Sequence, residues 1–284
     1  MSPDTRAGNW DACAGYHYDD TTLKGFSHTH LSGTGCIDLG DILFRPTTLK
    51  PDLTAESICR PANFSHKDER ASAGYYSVIL KDEGIKAELT ATTHTGMHRY
   101  TFPSGKPVTI IVDLAHLLGN EYIYEAELER TTSNEIVGMR RTRGWTDNQY
   151  VYFAAQFSEP FQTVEFVQDK KIVSAETKQV GTDLQAILTF ADKDGEPIIA
   201  KVGLSLVSVD NARKNLAEEV KDFNFDAVCA AARNDWEQAL SSITVEGGGT
   251  DDLKNFYTAI YHAMVVPNVV SDVNGEYRRH NMPV

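Results

Sequence analysis

The feature that most constrains the fold is an alternation of apolar and polar residues that recurs between residues 74 and 208. In residues 85–92, "IKAELTAT", isoleucine, alanine and leucine alternate with lysine, glutamate and threonine. Because successive side chains of a strand point to opposite faces, this pattern predicts a strand with one buried face. Comparable short runs are "YYSVIL", "HRYTF", "PVTIIVDL", "QYVYFAAQF", "TVEFVQ", "LQAILTF" and "IIAKVGLSLVS".

Turn signals separate most of these runs, as in "KDEG", "PSGK" and "DKDGEP". No amphipathic helical pattern comes between them, so neighbouring strands are expected to pair antiparallel. Many short strands at this spacing are typical of two sheets packed face to face. The sequence therefore predicts a mainly β fold, with an antiparallel β-sandwich of two packed sheets over residues 1–208.

The pattern changes after residue 208. Residues 209–246 are predicted to form a helical linker, because "DNARKNLAEEVKDF" lacks strand alternation and "FDAVCAAARNDWEQALSSI" has an apolar stripe at helical spacing. Residues 247–284 contain "LKNFYTAIYHAMVVP", a helix whose apolar residues recur at i, i+3, i+4, i+7 and i+8. Its wide apolar face needs partner helices, so we expect this segment to be the truncated start of a larger helical domain.

The charge balance excludes several classes of ligand. The 284 residues include 27 Lys and Arg against 40 Asp and Glu, which gives a formal net charge of -13. Nucleic-acid binding needs clustered cations, so it is not expected, and neither is binding to an anionic membrane. No apolar run approaches the length of a membrane-spanning helix, so no membrane span is predicted.

The first residues carry no pattern of a secretory signal. "MSPDTRAGNWDACAGYHYDD" has no basic region followed by an apolar one. From these residues alone two alternatives stay open: a cytoplasmic protein, or a chain whose natural start lies further upstream.

Residues 25–41, "GFSHTHLSGTGCIDLGD", combine histidines, glycines, a cysteine and carboxylates in one short segment. His28 and His30 would point to the same side of a strand, as paired metal ligands can, and Asp38 and Asp41 could complete a site. No third ligand follows at a spacing typical of zinc. We therefore expect the two histidines to be hydrogen-bonded within a packed strand.

The glycines of "SGTGC" indicate a different property. Gly33 and Gly35 allow positive φ and a close approach of the backbone to a ligand, because no Cβ stands in the way. The segment lacks the G-x-x-x-x-G-K-[ST] pattern of a phosphate-binding loop. A tight turn between strands and a loop that contacts a ligand both remain open.

Residues 8–20, "GNWDACAGYHYDD", are rich in aromatic and acidic side chains, including Trp10, Asp11, Tyr16 and Tyr18. An aromatic ring can stack on the apolar face of a sugar while carboxylates accept hydrogen bonds from its hydroxyls. The same composition also occurs at an ordinary sandwich edge, so both interpretations remain open.

The four cysteines include no C-x-x-C pair, which argues against a zinc or redox motif. A disulfide between Cys13 and Cys36 is compatible with the sequence if the compartment is oxidising, but the spacing alone does not establish it.

Residues 271–277, "SDVNGEY", loosely match a calcium loop but lack the downstream spacing and the final glutamate of an EF-hand. The adjacent Asn274 and Gly275 favour a hairpin turn instead.

Taken together, these segments resemble glycoside hydrolase family 92, a family of calcium-dependent exo-acting α-mannosidases. The matching pieces, in the family's order, are "SPDTRAGNWDACAGYHYDD", "GFSHTHLSGTGCIDLGDI", "GYYSVIL", "IKAELTATTHTGMHRYTFP", "GLSLVSVDNARKNLAEE" and "FYTAIYHAMVVPNVVSDVNGEYR". The resemblance implies an N-terminal β-sandwich, a helical linker and a C-terminal (α/α)6 barrel, of which residues 247–284 would be the truncated start. We find no counterpart of the family's upstream "VNPFIGT"-like segment and expect the natural start to lie upstream.

The activity that the resemblance implies is inverting hydrolysis of a terminal mannose. One carboxylic acid protonates the leaving oxygen and a second carboxylate activates water across the ring, with the two groups about 6.5–9.5 Å apart. Calcium, which prefers oxygen ligands, binds the 2- and 3-hydroxyls of the sugar. The resemblance places these acids and the calcium ligands beyond residue 284. We therefore assign no catalytic or metal residue and expect this chain alone to be inactive.

The resemblance also implies that the sandwich forms one wall of the mannose site, at the domain interface. Gly35 and Cys36 would lie at the tip of a loop that reaches toward the sugar, with Trp10 and Asp11 nearby. The two histidines of residues 25–41 would brace that loop. His94 stands where the family often has an arginine, and we expect it on the solvent face of a strand.

The function implied is therefore that of the N-terminal portion of an exo-α-mannosidase that trims mannose from glycans. The expected linkage is α-1,2, with α-1,3 and α-1,4 as alternatives. The expected partners are a mannose-containing glycan and the chain's own C-terminal domain, and the expected location is the periplasm or the cell surface.

A second function from another class is a stand-alone sandwich that binds carbohydrate without catalysis. The apolar helix near the C-terminus disfavours it, because a free-standing module has no use for a wide uncovered apolar face. A purely structural domain is the third possibility.

Overall fold

The computed structural model describes residues 1–5, 13–31, 35, 37–49, 58, 60–119, 121–173, 177–265 and 268–279. Across these residues the chain forms antiparallel strands up to residue 205 and three helices after it. The predicted fold class, a mainly β sandwich followed by helices, is confirmed. The proposed boundaries after residues 208 and 246 remain predictions.

Two sheets make up the sandwich, with strands numbered along the chain. The first contains β1 (Ser2–Asp4), β3 (Gly25–Ser27), β4 (Leu43–Thr47), β10 (Val108–Asp113), β14 (Thr163–Gln168), β15 (Lys171–Val173) and β17 (Leu184–Phe190). The second contains β6 (Arg70–Ser72), β7 (Tyr75–Leu80), β8 (Ile85–Ala91), β9 (Thr95–Thr101), β11 (Tyr122–Arg130), β12 (Glu135–Arg143), β13 (Gln149–Phe157), β16 (Lys178–Gly181) and β18 (Ile198–Ser205). A short separate pair consists of β2 (Thr22–Leu23) and β5 (Ala62–Asn63).

The strands of each sheet pair antiparallel with their neighbours. The seven-stranded sheet has the order β1-β3-β4-β10-β17-β14-β15, and the nine-stranded sheet has the order β16-β11-β12-β13-β18-β9-β8-β7-β6. The runs "YYSVIL", "QYVYFAAQF", "TVEFVQ" and "LQAILTF" coincide with β7, β13, β14 and β17, as the alternation predicted. The same analysis did not single out β11 or β12.

The core lies between the two sheets as one continuous apolar cluster. In β8, Ile85, Ala87 and Leu89 all belong to it, which confirms the predicted buried face. Phe44 of β4 and Phe157 of β13 meet from opposite sheets, with ring centroids 6.2 Å apart. Burying a side chain of this kind contributes about 1.5–3 kcal/mol through the hydrophobic effect, so this cluster holds the two sheets together.

Three helices follow the last strand: α1 (Val209–Glu219), α2 (Phe225–Leu240) and α3 (Thr250–Val265). Ser208 caps α1, since its hydroxyl oxygen accepts a hydrogen bond from the backbone N–H of Asn211. The helix lies on the outer face of the nine-stranded sheet over Gly203. A Cβ at Gly203 would come within 2.3 Å of the Ala212 carbonyl oxygen, so a glycine is what allows this close approach.

The second helix covers part of the same outer face. Glu88 and Thr90 of β8 are buried there because α2 packs against this strand. The third helix touches α2 through Tyr261, whose ring centroid lies 4.7 Å from that of Trp236. No residue of α3 is buried, so its apolar face is uncovered in the described part of the chain. No helix among the described residues is long and apolar enough to cross a membrane.

The chain returns to the sandwich after α3. A turn is present at the predicted place, but no strands flank it among residues 268–279, so it is not a hairpin: the Gly275 N–H donates to the Asp272 carbonyl oxygen at 2.8 Å, and Gly275 has a φ of 82°. The buried Asp272 carboxylate accepts hydrogen bonds at 2.7, 2.8 and 2.7 Å from Ser205, Asn211 and Asn215. These protein donors occupy the carboxylate, so the structure does not support the calcium-loop alternative.

The expectation that His94 faces solvent from a strand is wrong. His94 lies in the turn between β8 and β9, and only 14% of its side chain is exposed. Its Nδ1 lies 2.5 Å from Oε1 of Glu219, and its Nε2 lies 2.8 Å from the carbonyl oxygen of Ser271. The end of α1 and the returning tail cover this turn, which local sequence cannot show.

Arg140 of β12 is buried in the core and connects the two sheets. Its Nε and Nη2 lie 2.8 and 2.7 Å from Oδ1 of Asp41, just before β4. Its Nη1 donates to the carbonyl oxygens of Leu114 and His116, which follow β10. A buried guanidinium needs partners for its donors, so these groups are held at fixed positions relative to β12.

Two neutral histidines lie in the same core. His28 Nδ1 lies 2.7 Å from the Ile42 carbonyl oxygen, and its Nε2 lies 2.9 Å from Nε2 of His98. A carbonyl can only accept, so we assign the His28 proton to Nδ1 and the His98 proton to Nε2. The Tyr100 hydroxyl then donates to Nδ1 of His98 at 2.7 Å. Burial lowers the pKa of His28 to about 3 and that of His98 well below its ordinary value.

Replacing Arg140 with methionine is expected to lower the free energy of unfolding by about 3–5 kcal/mol, because Asp41 becomes an unpaired buried charge. Arg143→Met on the same strand is the matched control, since Arg143 is largely exposed and meets Asp147 at 3.4 Å. Loss of that surface pair should cost less than about 1 kcal/mol. Urea denaturation followed by circular dichroism measures both variants. Equal losses would contradict the role of Arg140 as a bridge between the sheets.

Because His28 and His98 are neutral in the fold, we expect the protein to lose stability at low pH. Unfolded histidines take up protons below about pH 6.5 while His28 and His98 stay neutral in the fold, so the free energy of unfolding falls as pH decreases. The expected slope between about pH 6.5 and 3 is up to about 1.4 kcal/mol per pH unit for each histidine.

Urea unfolding at several pH values between about 7.5 and 5.5 measures this slope. The variant His98→Phe should flatten it, whereas His262→Gln, on the exposed side of α3, should leave it unchanged. A slope that His98→Phe does not reduce would show that this histidine is not neutral in the fold.

Candidate functional site

Residues 28–30 and 39–41 form a narrow stem between β3 and β4. Three residue pairs close it: His28 with Asp41, Thr29 with Gly40, and His30 with Leu39. The first two pairs are joined by backbone hydrogen bonds of 2.9 and 2.8 Å. Gly35 lies beyond this stem, in the part of the segment predicted to be a glycine-turned loop.

The backbone of the stem is strained at two residues other than glycine. Leu39 has a φ of 72° and Ile42 a φ of 58°. Side chains with a Cβ rarely adopt this left-handed region, at a cost on the order of 1–3 kcal/mol each. Gly35 adopts a φ of 68° without that cost. Strain of this kind persists only where the surroundings enforce it, and it concentrates at functional sites.

Asp41 is the residue that enforces the stem. Its Oδ2 accepts from the Thr29 hydroxyl at 2.6 Å, and its backbone N–H donates to the same hydroxyl oxygen at 2.9 Å. Its Oδ1 accepts a hydrogen bond from Nη2 of Arg140, and Nε2 of Gln149 lies 3.3 Å from Oδ2. The carboxylate therefore binds both the other side of the stem and the opposite sheet.

A second buried carboxylate, Asp4, fixes the stem from the other side. Its Oδ1 lies 2.7 Å from Nε2 of His30, and its Oδ2 lies 2.9 Å from Nε2 of His116. Burial alone would raise the pKa of Asp4, but the charges and hydrogen bonds of the two histidines lower it below its ordinary value. Gly15 packs directly over this carboxylate, where a Cβ would lie 2.2 Å from Oδ1.

In both contacts the nitrogen and oxygen atoms lie at hydrogen-bonding distance from each other. Among the described residues, no group of three or more His, Cys, Asp or Glu side chains is placed to hold a metal ion. His28 and His30 are hydrogen-bonded within packed structure, as predicted, but they follow the end of β3 instead of lying within a strand.

The aromatic segment near the N-terminus is partly used for packing. The Tyr16 hydroxyl donates to Oε2 of Glu69 at 3.0 Å. The ring of Tyr18 is largely exposed and stacks on His66, with centroids 4.2 Å apart. The structure therefore ties these two rings to the turn before β6, and neither stands free as a platform near residues 25–41.

The residues predicted to touch the sugar are only partly within the described chain. Gly35 is described and has the positive φ that the prediction requires. Trp10, Asp11 and Cys36 lie outside the described residues, and so does the proposed pairing of Cys36 with Cys13. Their roles stay predictions.

The structure adds Trp145, which the sequence analysis did not select. Its backbone N–H donates to Oδ2 of Asp38 at 2.8 Å, and Asp38 lies three residues after Gly35. A Cβ on the preceding Gly144 would lie 2.1 Å from Oδ1 of Asp38, so a glycine is needed for this contact. The Trp145 indole is 65% exposed. A tryptophan beside a glycine just before the predicted strand "QYVYFAAQF" was the signal that could have identified it.

The chemistry available here is that of a binding surface. The carboxylates around the stem are engaged within the protein: Asp4 by two histidines, Asp41 by Arg140, and Asp38 by backbone N–H groups. They hold loops in place and are not arranged as an acid and base facing an open site. What the region presents outward is a glycine-turned backbone and an indole ring, which suit hydrogen bonds and stacking to a sugar.

Comparison with known proteins matches both parts of the chain to one family. The sequence model of the Glycosyl hydrolase family 92 N-terminal domain matches residues 1–205, and that of the Glycosyl hydrolase family 92 catalytic domain matches residues 211–283. A curated relative, an uncharacterized secreted glycosidase from Arthroderma benhamiae, is 26% identical over 92% of this chain and 37% of its own length.

Two solved structures are similar over nearly the whole chain. One is a family GH92 alpha-mannosidase from Bacteroides thetaiotaomicron in complex with mannoimidazole, with 36% identity and a TM-score of 0.92 over 98% of this chain and 38% of that one. The other is a family GH92 inverting mannosidase from the same organism, with 25% identity and a TM-score of 0.85 over 98% of this chain and 37% of that one. The chain thus spans less than two fifths of these relatives, and it belongs to glycosyl hydrolase family 92.

Proposed function

We propose that this chain is the N-terminal portion of an inverting exo-α-mannosidase that removes mannose from glycans. The observation that carries the proposal is the match to both regions of the family in order, over residues 1–205 and 211–283. The similar structures add that two members are mannosidases, one of them inverting. The linkage that we propose is α-1,2.

In this proposal the loop around Gly35 forms one wall of the mannose site, together with Trp10, Asp11 and Cys36. The strain at Leu39 and Ile42 supports it, because the fold holds the stem next to Gly35 in one shape at a cost in free energy. Trp145 lies beside the same loop and offers a ring on which a sugar can stack. The role of the sandwich is therefore to bind and orient the sugar.

The catalytic acid, the catalytic base and the calcium ligands are proposed to lie in the rest of the protein. The described residues contain no cluster suited to a metal ion, so no step is assigned to calcium in this chain. An inverting reaction needs two carboxyl groups on opposite sides of the sugar, and the carboxylates around the stem are already engaged. The proposed partner of the sandwich is its own helical domain, whose first helix is α3.

The uncovered face of α3 disfavours the alternative of a stand-alone carbohydrate-binding module. Tyr261 contacts α2, while Met264 is 36% exposed and no residue of the helix is buried. An exposed apolar face of this kind is typical of a surface that packs against another domain. We also propose export to the periplasm or cell surface, which the name of the secreted fungal relative supports.

Replacing Gly35 with alanine in the whole protein is expected to lower kcat/KM for an α-mannoside about ten- to hundredfold, because a displaced loop misplaces the sugar. The matched control is Gly105→Ala in the turn between β9 and β10. Gly105 also has a positive φ, of 75°, and nothing lies within 4 Å of its Cβ position. Both variants introduce the same strain of about 1–2 kcal/mol. Equal activity of the two variants would remove Gly35 from the site.

The chain of 284 residues alone is expected to release no mannose from α-1,2-, α-1,3- or α-1,4-linked mannobiose, because both catalytic carboxylates are proposed to lie in the rest of the protein. The whole protein should cleave the α-1,2 isomer fastest and lose this activity when calcium is chelated. Chromatographic detection of free mannose measures both proteins. Hydrolysis by the isolated chain would refute the proposed division of labour.

A further inference from the structure

His94 joins three separate parts of the chain. It lies in the turn between β8 and β9, with its Nδ1 2.5 Å from Oε1 of Glu219, the last residue of α1. Its Nε2 lies 2.8 Å from the carbonyl oxygen of Ser271 in the tail, residues 268–279. The turn falls within the match to the family's N-terminal domain, whereas Glu219 and Ser271 fall within the match to its catalytic domain. His94 therefore connects the two matched regions.

Both ring nitrogens of His94 face hydrogen-bond acceptors. A carbonyl oxygen can only accept, so Nε2 needs a proton to bind Ser271. The Glu219 carboxylate accepts on its other oxygen, Oε2, from the backbone N–H of His94 at 2.9 Å and from the Thr92 hydroxyl, and such donors favour its ionised form. An ionised carboxylate also only accepts, so Nδ1 needs a proton as well. The arrangement is that of an imidazolium, the form of histidine with two N–H donors.

Loss of one proton breaks one of the two contacts. A neutral imidazole has one N–H and one bare nitrogen, so either the carboxylate or the carbonyl then faces a nitrogen that has no hydrogen to donate. Only 14% of the His94 side chain is exposed, and the same holds for Glu219, so water replaces the lost bond poorly. A hydrogen bond between charged groups is also roughly twice as strong as one between neutral groups. The neutral form therefore holds the tail less tightly than the cation.

The other titratable groups around His94 come from four elements. Asp272 of the tail, His28 of the stem and Met1 line the same small cavity as His94. Burial lowers the pKa of His28 to about 3, so it stays neutral, and burial lowers the pKa of the Met1 amino group. Lys201 of β18 donates to a backbone carbonyl oxygen just after α1 at 3.0 Å. Of these neighbours, the Met1 amine is the group whose titration has to be separated from that of His94.

A second attachment of the tail does not depend on a histidine. The Asp272 carboxylate, next to Ser271, accepts hydrogen bonds from the side-chain amides of Asn211 and Asn215 at 2.8 and 2.7 Å. These amide donors have no charge to lose. The His94 contact is therefore the part of the attachment that responds to a proton, and its loss loosens the tail without opening the sandwich.

From these contacts we infer that His94 is a pH-dependent link between the sandwich and the region matched to the catalytic domain. The link is complete while the imidazole carries two protons, and it weakens as the pH rises and one proton is lost. This dependence has the opposite sign to that of His28 and His98, which stay neutral in the fold and lower its stability as the pH falls. The inference goes beyond the proposed hydrolysis and involves no catalytic group.

Hydrogen–deuterium exchange of the 284-residue chain between about pH 5.5 and 8.5, corrected for the intrinsic exchange rate of each amide, tests this inference. The N–H groups of Asp272 and Gly275 bond within the tail at 2.8 Å each, and that of Val273 bonds to Asn215 at 2.9 Å, so these amides report opening of the tail. Their protection is expected to fall at least about tenfold from the lower pH to the higher. The amides of β10, in the core, are the internal reference and should not lose protection.

Two variants assign the effect to the His94 contact. In His94→Gln the imidazole is gone, so the tail should show the weaker protection at every pH. In Glu219→Gln the new amide can donate to a bare Nδ1, so the neutral ring regains a partner and the pH dependence should disappear. His262→Gln is the matched control, because His262 is exposed on α3, and it should keep the full pH dependence. Circular dichroism establishes that each variant is folded.

Tail protection that stays constant over this pH range in the unaltered chain would overturn the inference. A pH dependence that persists in His94→Gln would also overturn it and would assign the titration to another group, such as the Met1 amine. The readout is local exchange in this chain and requires no substrate. A failure of mannoside hydrolysis by the whole protein is therefore a separate result and leaves this test intact.

Discussion

The positions of the stem and of the β10–β11 loop depend on one buried cation. Arg140 crosses the core from the nine-stranded sheet and binds Asp41 together with the carbonyl oxygens of Leu114 and His116. A buried ion pair of this kind adds little stability compared with an apolar core, since desolvation offsets most of its Coulomb energy. What it adds is geometric: a guanidinium has fixed donor directions, so the stem and the β10–β11 loop take up one arrangement. Asp4 acts in the same way. Its two carboxylate oxygens bind His30 of the stem and His116 of the β10–β11 loop, so it joins the same two segments.

This arrangement explains how the fold maintains strained backbone near its surface. Leu39 and Ile42 hold positive φ values because Asp41, between them, is hydrogen-bonded on both carboxylate oxygens. The free energy for this strain comes from the apolar core, which is continuous between the two sheets. A stem built in this way keeps its shape without a ligand. Such preorganisation is useful for a surface that positions a sugar, because little ordering remains to be done when the sugar binds.

Much of the fold could be predicted from the sequence, because period-two alternation reports the buried face of a strand directly. The strands β7, β13, β14 and β17 show this agreement. The helices after residue 208 were predicted from another pattern, the loss of alternation together with apolar stripes at helical spacing. The strand β11 was missed because "YIYEAELER" is rich in glutamate, alanine and leucine, a composition that is also typical of helices. The burial of Arg140 could not be predicted, because a buried arginine carries no local mark in the sequence: only a few of the 27 basic residues are buried in the described part of the chain, among them Arg45 and Lys201. His94 was misplaced for the same reason: what buries it lies more than a hundred residues away.

The carboxylates around the stem serve to fix its shape. Asp4, Asp38 and Asp41 bind groups of the protein and leave backbone and an indole facing outward. The β10–β11 loop is held by the same contacts, because His116 binds Asp4 and a Cβ on Gly119 would lie 2.4 Å from Ile37. The stem and this loop therefore keep a fixed distance from each other, which is the property that the proposed sugar-binding wall requires.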